Sequence, residues 1–342
     1  MSVITVIGSG VMGSAMSFPA RENKHTVRLV GTMLDREIIE HLKKTGYHLN
    51  LKRTLPSEVE YYHLEELDRA LDGANLIIGG VSSFGVHWFA DEIIPRLPVK
   101  IPVLSVTKGM FNLPDGSLAS YPKYYSQKAP GRDFCAVGGP CTSYELADLD
   151  KTHVCFCGNH IKSLREIKKL LETDYYHISL TTDVEGLECA VAMKNAYALA
   201  VTLAVGLSLK NGDTLNYNSQ AALFGQSVRE MRKLLALTGC HDDNIIFGAG
   251  DLYVTVFGGR TRHIGTLLGK GYSFCDAMNA LQGVTLESVV IATRTGEAVR
   301  SLIDAGKIKE EEFPLLLHIS DVITKDKKVD IPWKAFESER LL

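Results

Sequence analysis

The sequence lacks an excess of charge of either sign, internal repeats, low-complexity tracts and a flexible Gly/Ser linker. Its 342 residues include 37 basic and 40 acidic side chains, which leaves a formal net charge of −3. Because the basic residues are spread along the chain, no surface for nucleic acid or for anionic membranes is predicted. The 45% hydrophobic and 23% charged residues are typical of a globular protein and exclude disorder. A single hydrophobic core stops growing near ~250–300 residues, so two domains are expected.

The cysteines are not arranged as a disulfide framework or a metal site. The seven cysteines are an odd number, and they lie mostly in apolar runs such as residues 154–157. Buried thiols in a reducing cytoplasm are therefore expected. Cys155 and Cys157 are one residue apart and have no second Cys/His pair at ligand spacing, so no metal is predicted.

The start of the chain has neither a basic leader nor a small-residue cleavage site. The apolar segment Val3–Ile7 follows Met1 almost at once, and no apolar stretch of membrane length is present there. We therefore expect a protein that is neither exported nor inserted in a membrane.

Short β-branched runs alternate with helical patterns in the first half of the chain. The runs occupy residues 3–7, 27–30, 76–81, 103–107, 136–138 and 154–157, and helical patterns include residues 35–44 and 64–71. Strands separated by helices need crossover connections, which place helices on both faces of a mostly parallel sheet. The pattern predicts an α/β fold with a Rossmann-type doubly wound parallel sheet over residues 1–183.

The second half of the chain has a different pattern. Residues 188–210 form a long stretch rich in Ala and Leu without proline, and helical patterns follow at residues 221–237, 274–282 and 287–305. The long stretch is apolar nearly all round, which is typical of a buried central helix. We predict that residues 184–342 form an all-α C-terminal domain.

A glycine-rich motif follows the first predicted strand directly and precedes the second. It has the spacing G-x-G-x-x-G, in which the first glycine permits a tight turn, the second lets a pyrophosphate approach the backbone, and the third lets helix and strand pack closely. A glycine-rich turn without a ligand is the alternative, but this strand–turn–helix context favours a dinucleotide. The predicted cofactor residues of the motif are Gly8, Ser9, Gly10, Val11, Met12 and Gly13.

The end of the second predicted strand carries no acid for a cofactor ribose. Residues 30–33 read Val-Gly-Thr-Met where an NAD site often has an acidic residue, and Asp35 and Arg36 come slightly later. Thr32 and Arg36 are compatible with a 2′-phosphate. The preference between NAD and NADP therefore stays open.

Two lysines stand at positions that ordinary structure does not require. Lys108 follows the strand predicted at residues 103–107, and open α/β sheets bind ligands at the carboxyl ends of their strands. A solvated lysine in a turn is the alternative for Lys108. Lys194 precedes Asn195 within the apolar helix, and a lysine is almost never buried without a partner or a task. Proton transfer is one such task.

Residues 248–262 combine a predicted Gly-Asp turn at Asp251, a hydroxyl at Thr255 and a predicted Gly-Gly-Arg-Thr-Arg loop. Together they supply a carboxylate, hydroxyls, backbone donors and two guanidinium groups. The planar fork of arginine fits phosphate oxygens. Taken alone, Arg260 and Arg262 would be interpreted as surface charge, but beside the other motifs they predict a phosphate clamp.

In this order the motifs resemble the NAD(P)-dependent glycerol-3-phosphate dehydrogenases, and the resemblance covers nearly the whole chain. The matching blocks are residues 8–15, 107–110, 138–140, Glu188 with 193–195, 218–223, 248–252, 259–262 and 284–287. Several blocks in family order are far more specific than any one of them.

The resemblance implies that Lys194 is the general acid/base, that Asp251 supports it, and that Lys108 approaches both cofactor and substrate. Arg260 would clamp the phosphate of a small phosphorylated polyol, sn-glycerol 3-phosphate, and of its oxidised form, dihydroxyacetone phosphate. The other implied substrate-binding residues are Gly139, Cys141, Asn195, Thr255, Gly259 and Thr261. Ser143, Arg260 and Glu287 fall where the family contacts NAD or NADP.

Several positions depart from the family pattern and leave the exact polyol phosphate open. Gly259 and Thr261 replace the family's Ser and Asn, and Ser82 replaces a Pro. One alternative is a related dehydrogenase for another polyol phosphate or a β-hydroxy acid, because the glycine motif also resembles the hydroxyisobutyrate and phosphogluconate dehydrogenases. A sensor protein that binds the cofactor without turnover is a second alternative. The sequence leaves the oligomeric state open between a monomer and a homodimer.

Overall fold

The computed structural model describes residues 1–112, 118–212, 215–281 and 286–337. The chain divides into two compact units, one formed by Met1–Phe111 and Ala119–Glu188 and the other by Asn112–Leu118 and Cys189–Leu342. Two predictions reach beyond the described residues: Gln282, at the end of the helical pattern 274–282, and residues 284 and 285 of the block 284–287.

The strands form an eight-stranded sheet, which belongs to the first unit, and two small two-stranded sheets. The strands are β1 (Val3–Ile7), β2 (Thr26–Val30), β3 (Tyr47–His48), β4 (Arg53–Thr54), β5 (Val59–Tyr62), β6 (Leu76–Gly79), β7 (Val103–Ser105), β8 (Met110–Asn112), β9 (Leu118–Ser120), β10 (Phe134–Gly138), β11 (Thr152–Gly158) and β12 (Tyr176–Thr181). The large sheet has the order β12-β11-β10-β7-β6-β1-β2-β5. Within its described strands the pairing is parallel except between β10 and β11, which confirms the mostly parallel sheet.

Helices connect these strands. They are α1 (Val11–Ala15), α2 (Ser17–Glu22), α3 (Arg36–Thr45), α4 (Leu67–Leu71), α5 (Val86–Trp88), α6 (Tyr121–Lys128), α7 (Ser143–Ala147) and α8 (Ile161–Leu171), with short 3₁₀ turns at Leu64–Glu66, Ser83–Gly85 and Ile94–Arg96 and a π-helical turn at Phe89–Ile93. The helix predicted at residues 64–71 therefore begins as a 3₁₀ turn.

Apolar side chains cover both faces of the large sheet. Alternation along β1 sends Ile4 and Val6 into one buried cluster and Ile7 into the other. Thr5 is also fully buried, and its hydroxyl donates a hydrogen bond to the carbonyl of Ala70. A sheet buried on both faces is typical of the doubly wound α/β class.

The strand predictions need correction in two ways. The strands predicted at residues 76–81 and 103–107 end at Gly79 and Ser105, and the edge strands β5 and β12 were not predicted. Gly80, the residue after β6, packs directly against the glycine-rich turn, because a Cβ on Gly8 would lie 2.7 Å from its carbonyl carbon.

The second unit is helical throughout its described residues from Cys189 onward. Its helices are α9 (Val184–Asn211, which begins in the first unit), α10 (Tyr217–Leu237), α11 (Ile245–Val256), α12 (Gly259–Gly269), α13 (Phe274–Asn279), α14 (Glu287–Asp304) and α15 (Pro314–Thr324), with 3₁₀ turns at Asp242–Asn244, Glu310–Glu312 and Trp333–Phe336. The helical C-terminal fold class is thus confirmed. The turn predicted at Asp251 is wrong, because this residue lies inside α11, and the loop predicted after Gly258 is the first turn of α12.

Helix α9 is the central helix of this unit. Its segment Val184–Lys210 is long and apolar enough to cross a membrane by length and composition, but 83% of its most apolar window is buried inside the protein. Glycines let α12 approach it closely, since a Cβ on Gly206 would collide with the carbonyl oxygen of Thr266, and one on Gly265 would collide with the side chain of Thr202. Such burial and packing are typical of a core helix.

Candidate active site

The glycine-rich turn has the geometry that a dinucleotide needs. Gly8 has φ +109°, which a residue with a side chain rarely adopts, and its N–H donates to the carbonyl of Val30 at 2.8 Å. A Cβ on Gly13 would collide with the carbonyl oxygen of Gly8, so helix α1 can approach β1 only with glycine there. A Cβ on Gly10 would meet only the Gly80 oxygen, at 3.8 Å. The space above Gly10 is therefore open to a ligand.

A cavity of about 340 Å³ lies beside this turn. It is lined by Gly8, Gly10, Thr32, Met33, Leu34, Asp35, Gly80, Val81, Ser82, Phe84, Gly85 and Trp88. Backbone from the turn forms one wall and apolar side chains form another, which suits a nucleotide with a polar phosphate and a flat base. Val11 and Met12 pack their side chains against the sheet core instead of lining the cavity.

Two residues hold the turn in place, and the sequence analysis assigned this role to neither of them. The Asp35 carboxylate accepts hydrogen bonds from the backbone N–H groups of Ser9, at 3.2 Å, and Thr32, at 2.9 Å. The His48 ring is fully buried, with Nε2 2.8 Å from the Ser9 carbonyl oxygen, and its Nδ1 accepts from the Leu51 N–H. Because Nδ1 accepts, Nε2 carries the proton and donates to Ser9.

Lys108 lies just beyond β7, as predicted for the carboxyl end of a parallel strand. Its Nζ donates to the carbonyl oxygen of Gly139 at 2.7 Å, so the structure brings these two predicted residues together. Cys141 packs partly against the sheet core, and Ser143 is buried at the first position of α7. One end of the sheet in the first unit thus carries a cation beside a backbone turn.

Lys194 and Asp251 form an ion pair within the second unit. Lys194 Nζ lies 2.6 Å from Asp251 Oδ1, and the two side chains are 15% and 1% exposed. Helix α11 can approach α9 this closely because a Cβ on Gly248 would lie 2.7 Å from the Ala190 carbonyl oxygen. A buried carboxylate is tolerated when it is paired in this way. Lys194 keeps partial access to solvent, and Asn195 beside it is half-buried.

The predicted phosphate clamp separates into two arginines with different environments. Arg262 is half-buried, and its Nη1 donates to the Val256 carbonyl at 2.7 Å, which caps the end of α11. Arg260 is exposed in the first turn of α12, after Gly259 with φ +74°. Of the two arginines, Arg260 is the one whose side chain is exposed to solvent.

Three further predicted residues have clear positions. Thr261 is half-buried in the first turn of α12, and Glu287 is the first residue of α14. The Thr255 hydroxyl donates to the Asp251 carbonyl at 2.7 Å within α11, so only its acceptor capacity is left for a ligand. Among the residues that the structure describes, no group of three or more His, Cys, Asp or Glu side chains is arranged to hold a metal ion.

Sequence profiles match both halves of the chain. The profile of the NAD-dependent glycerol-3-phosphate dehydrogenase N-terminus matches residues 3–163, and that of the C-terminus matches residues 183–334. The NADP(+)-dependent glycerol-3-phosphate dehydrogenase of Archaeoglobus fulgidus is 31% identical over 284 residues, which is 82% of this chain and 84% of that protein. The chain belongs to the NAD-dependent glycerol-3-phosphate dehydrogenase family.

Other relatives agree with this membership. The glycerol-3-phosphate dehydrogenase [NAD(P)+] of Desulfotalea psychrophila is 26% identical and covers 95% of this chain, which covers 93% of it. The same fold occurs in the crystal structure of the Coxiella burnetii glycerol-3-phosphate dehydrogenase, with TM-score 0.78, 22% identity and coverage of 98% and 97%. The Plasmodium falciparum enzyme gives TM-score 0.83 at 18% identity, with coverage of 100% and 96%.

Membership confirms the resemblance found in the sequence. The chain is an oxidoreductase that depends on NAD or NADP, and a polyol phosphate substrate is consistent with its family. The open space above Gly10 and the nearby cavity fit such a cofactor.

Proposed function

We propose that the chain interconverts sn-glycerol 3-phosphate and dihydroxyacetone phosphate, with Lys194 as the general acid/base. The observation that supports this proposal is the ion pair of 2.6 Å between Lys194 and the buried Asp251. It holds a lysine ammonium at a fixed position while 15% of the lysine side chain stays accessible. A general acid/base needs such a fixed position within reach of the substrate.

The lysine serves both directions of the reaction. In oxidation, neutral Lys194 takes the proton of the substrate hydroxyl at carbon two, and in reduction the ammonium polarises the ketone and returns the proton. The nicotinamide cofactor, when bound, accepts or supplies the hydride. Asp251 stabilises the ammonium form and keeps its Nζ in place.

The glycine-rich turn would hold the cofactor pyrophosphate. Gly8 and Gly10 leave the backbone open to it, and Ser143, Arg260 and Glu287 are proposed as further cofactor contacts. Either NAD or NADP fits this proposal. The relative from Archaeoglobus fulgidus is named as NADP(+)-dependent, whereas the carboxylate of Asp35 at the cavity would oppose a 2′-phosphate.

Arg260 would bind the substrate phosphate. It is exposed at the start of α12, where backbone N–H groups also face outward, and a guanidinium makes two parallel bonds to phosphate oxygens. The remaining proposed substrate contacts are Lys108, Gly139, Cys141, Asn195, Thr255, Gly259 and Thr261. Fixing the phosphate positions the reacting carbon for the chemical step.

We also propose that residues 1–183 are the NAD(P)-binding domain and residues 184–342 the helical substrate-binding domain of a cytoplasmic protein, and that each domain contributes some contacts to the other ligand. All seven cysteines are free thiols, which suits a reducing compartment.

We also propose a homodimer. Tyr253 and Phe257 are 57% and 59% exposed on α11, and a second copy of the chain would cover these apolar side chains. Size-exclusion chromatography with light scattering would test it.

Steady-state reduction of dihydroxyacetone phosphate with NADH and with NADPH tests the activity. Unphosphorylated dihydroxyacetone is the matched control, and we expect it to be a far poorer substrate. Turnover of a β-hydroxy acid or of another polyol phosphate in place of glycerol 3-phosphate would favour the related dehydrogenases. Tight cofactor binding without turnover of any of them would favour a sensor.

A further inference from the structure

Ser9, between the first two glycines of the glycine-rich turn, is held on both sides of its backbone. The residue is 0% exposed, its N–H donates to the Asp35 carboxylate at 3.2 Å, and its carbonyl oxygen lies 2.8 Å from Nε2 of the His48 ring. The proposed function gives His48 no role. The ring is fully buried and does not line the cavity beside the turn. Any effect of His48 on a cofactor in that cavity must therefore act through Ser9.

The hairpin of β3 and β4 fixes the orientation of the His48 ring. His48 pairs with Arg53 across the hairpin, and its carbonyl oxygen accepts the N–H of Lys52 at 2.7 Å. The ring Nδ1 accepts the N–H of Leu51 at 3.1 Å, so Nδ1 is without a proton and Nε2 carries it. The ring therefore presents one N–H donor to the Ser9 carbonyl in a fixed direction.

The peptide bond between Ser9 and Gly10 links this contact to the other side of the turn. A trans peptide is planar, so its C=O and its N–H point in opposite directions, and no peptide bond among the described residues is cis. Because the Ser9 carbonyl points at the His48 ring, the N–H of Gly10 points away from it. Gly10 lines the cavity, and a Cβ on it would meet only the Gly80 oxygen, at 3.8 Å. The side of Gly10 that faces away from His48 is therefore open to a ligand.

We propose that His48 is a positioning residue for the nicotinamide cofactor: by donating to the Ser9 carbonyl, it holds the Gly10 N–H in the direction of the cofactor pyrophosphate. This inference rests on the proposed binding of the pyrophosphate at the glycine-rich turn. Without the donor, the peptide between Ser9 and Gly10 is free to rotate, and ligand binding has to restore its direction at a cost in affinity. Asp35 fixes the preceding peptide through the Ser9 N–H, so the two residues fix successive peptide planes.

Two variants separate the donor of His48 from the rest of the ring. His48→Gln places an amide N–H near the position of Nε2, whereas the shorter His48→Asn keeps only an acceptor for the Leu51 N–H, near the position of Nδ1. We expect His48→Asn to raise the Kd of ADP about tenfold, which is the change for one lost hydrogen bond. His48→Gln should retain most of the wild-type affinity. Calorimetric titration with ADP measures both.

Adenosine is the matched ligand control, because it has the base and ribose of ADP without the phosphates. Its Kd should be the same in the wild type and in His48→Asn, whereas a merely structural role of the ring would weaken both ligands together. His25→Asn is the matched protein control, since His25 is a half-buried histidine of the same unit whose Nδ1 accepts the N–H of Ser2. It should change neither Kd. Equal losses for ADP and adenosine in His48→Asn would overturn the inference, as would a folded His48→Gln that binds ADP as weakly as His48→Asn.

The wild-type protein provides a test that does not depend on the folding of a variant. In protein labelled with ¹⁵N, Nε2 of His48 should carry the ring proton. The amide resonance of Gly10 should move downfield when ADP binds and stay in place when adenosine binds. A proton on Nδ1 instead, or a Gly10 amide that does not respond to ADP, would contradict the inference even if His48→Asn failed to fold.

Steady-state kinetics distinguish failure of this inference from failure of the proposed function. In His48→Asn we expect KM for NADH and NADPH to rise about tenfold, as for ADP, while KM for dihydroxyacetone phosphate stays unchanged. If that variant bound ADP like the wild type and still reduced dihydroxyacetone phosphate, the inference would be wrong and the proposed function would stand. If ADP binding depended on His48 but the wild type did not reduce dihydroxyacetone phosphate, the proposed function would be wrong and the inference would stand.

Discussion

Lys194 on α9 and Asp251 on α11 are 57 residues apart in sequence, yet Nζ of one lies 2.6 Å from Oδ1 of the other. Asp251 is 1% exposed, and the ammonium of Lys194 compensates its charge. Removing one member of a buried pair leaves the other uncompensated, at a cost of about 3–5 kcal/mol. Variants at these two positions therefore need a measurement of stability beside a measurement of activity.

Lys194→Ala should lower kcat by roughly 10²–10⁴-fold, the usual range for loss of a general acid/base. The affinity for NADH, measured by fluorescence titration, should barely change. Lys210→Ala is the matched control, because Lys210 is an exposed lysine near the end of the same helix. Near-normal turnover of a folded Lys194→Ala protein would remove Lys194 from the mechanism.

Asp251→Asn keeps the size of the side chain and removes its charge. We expect a lower kcat and a lower Tm, because the ammonium of Lys194 loses its ionic partner. The double variant Lys194→Ala with Asp251→Asn should lose less unfolding free energy than the two single variants lose together. The expected difference is about 0.5–3 kcal/mol, the range for residues in contact. Strict additivity in thermal unfolding would show that the pair is not coupled.

Gly10 and Gly13 belong to one motif but should respond oppositely to substitution. A Cβ on Gly10 meets only the Gly80 oxygen at 3.8 Å, whereas one on Gly13 collides with the Gly8 carbonyl oxygen. Gly10→Val should therefore keep the wild-type Tm and weaken NAD(P)H binding by at least ~10²-fold, or about 2.7 kcal/mol. Gly13→Ala should lower stability by roughly 1–3 kcal/mol through overpacking. Calorimetric titration and thermal unfolding separate the two effects, and undiminished cofactor affinity in Gly10→Val would place the dinucleotide elsewhere.

The parts of the fold that local patterns determine were predictable. The apolar run of β1, the glycine spacing after it and the long apolar stretch of α9 each produce a local signal, and the structure has all three. His48 has no such signal, because it lies in a strand of two residues and its contact with Ser9 spans 39 positions. Only the folded chain brings the ring to the turn.

The turn predicted at Asp251 failed for a tertiary reason. Glycines usually favour a turn, but Gly248 serves instead to let α11 approach the backbone of α9 at Ala190.

The sequence also could not distinguish the roles of the two arginines in the predicted phosphate clamp. They are two positions apart, and only the direction of α12 turns Arg262 back to the Val256 carbonyl and leaves Arg260 exposed.

Because Arg262 and Arg260 have different environments, a variant at Arg262 is the control for the predicted phosphate clamp. Arg262→Ala removes one hydrogen bond to the end of α11, so we expect a loss of about 1 kcal/mol in unfolding free energy. Its preference for dihydroxyacetone phosphate over dihydroxyacetone should remain, because Arg262 is used within the protein. Thermal unfolding and the ratio of kcat/KM for the two substrates measure these effects.

Arg260→Ala should give the reverse pattern, with an unchanged Tm and a severe loss of the phosphorylated substrate. Each charge-assisted bond from a guanidinium to a phosphate contributes about 1.5–3 kcal/mol. Because binding of the phosphate also positions the reacting carbon, kcat/KM for dihydroxyacetone phosphate should fall by at least ~10²-fold. Activity on unphosphorylated dihydroxyacetone should scarcely change, and Arg260→Lys should recover only part of the loss, since a point charge cannot reproduce the planar fork. An equal loss on both substrates would mean that Arg260 acts on the cofactor or the fold, and the phosphate clamp would have to be sought among other residues.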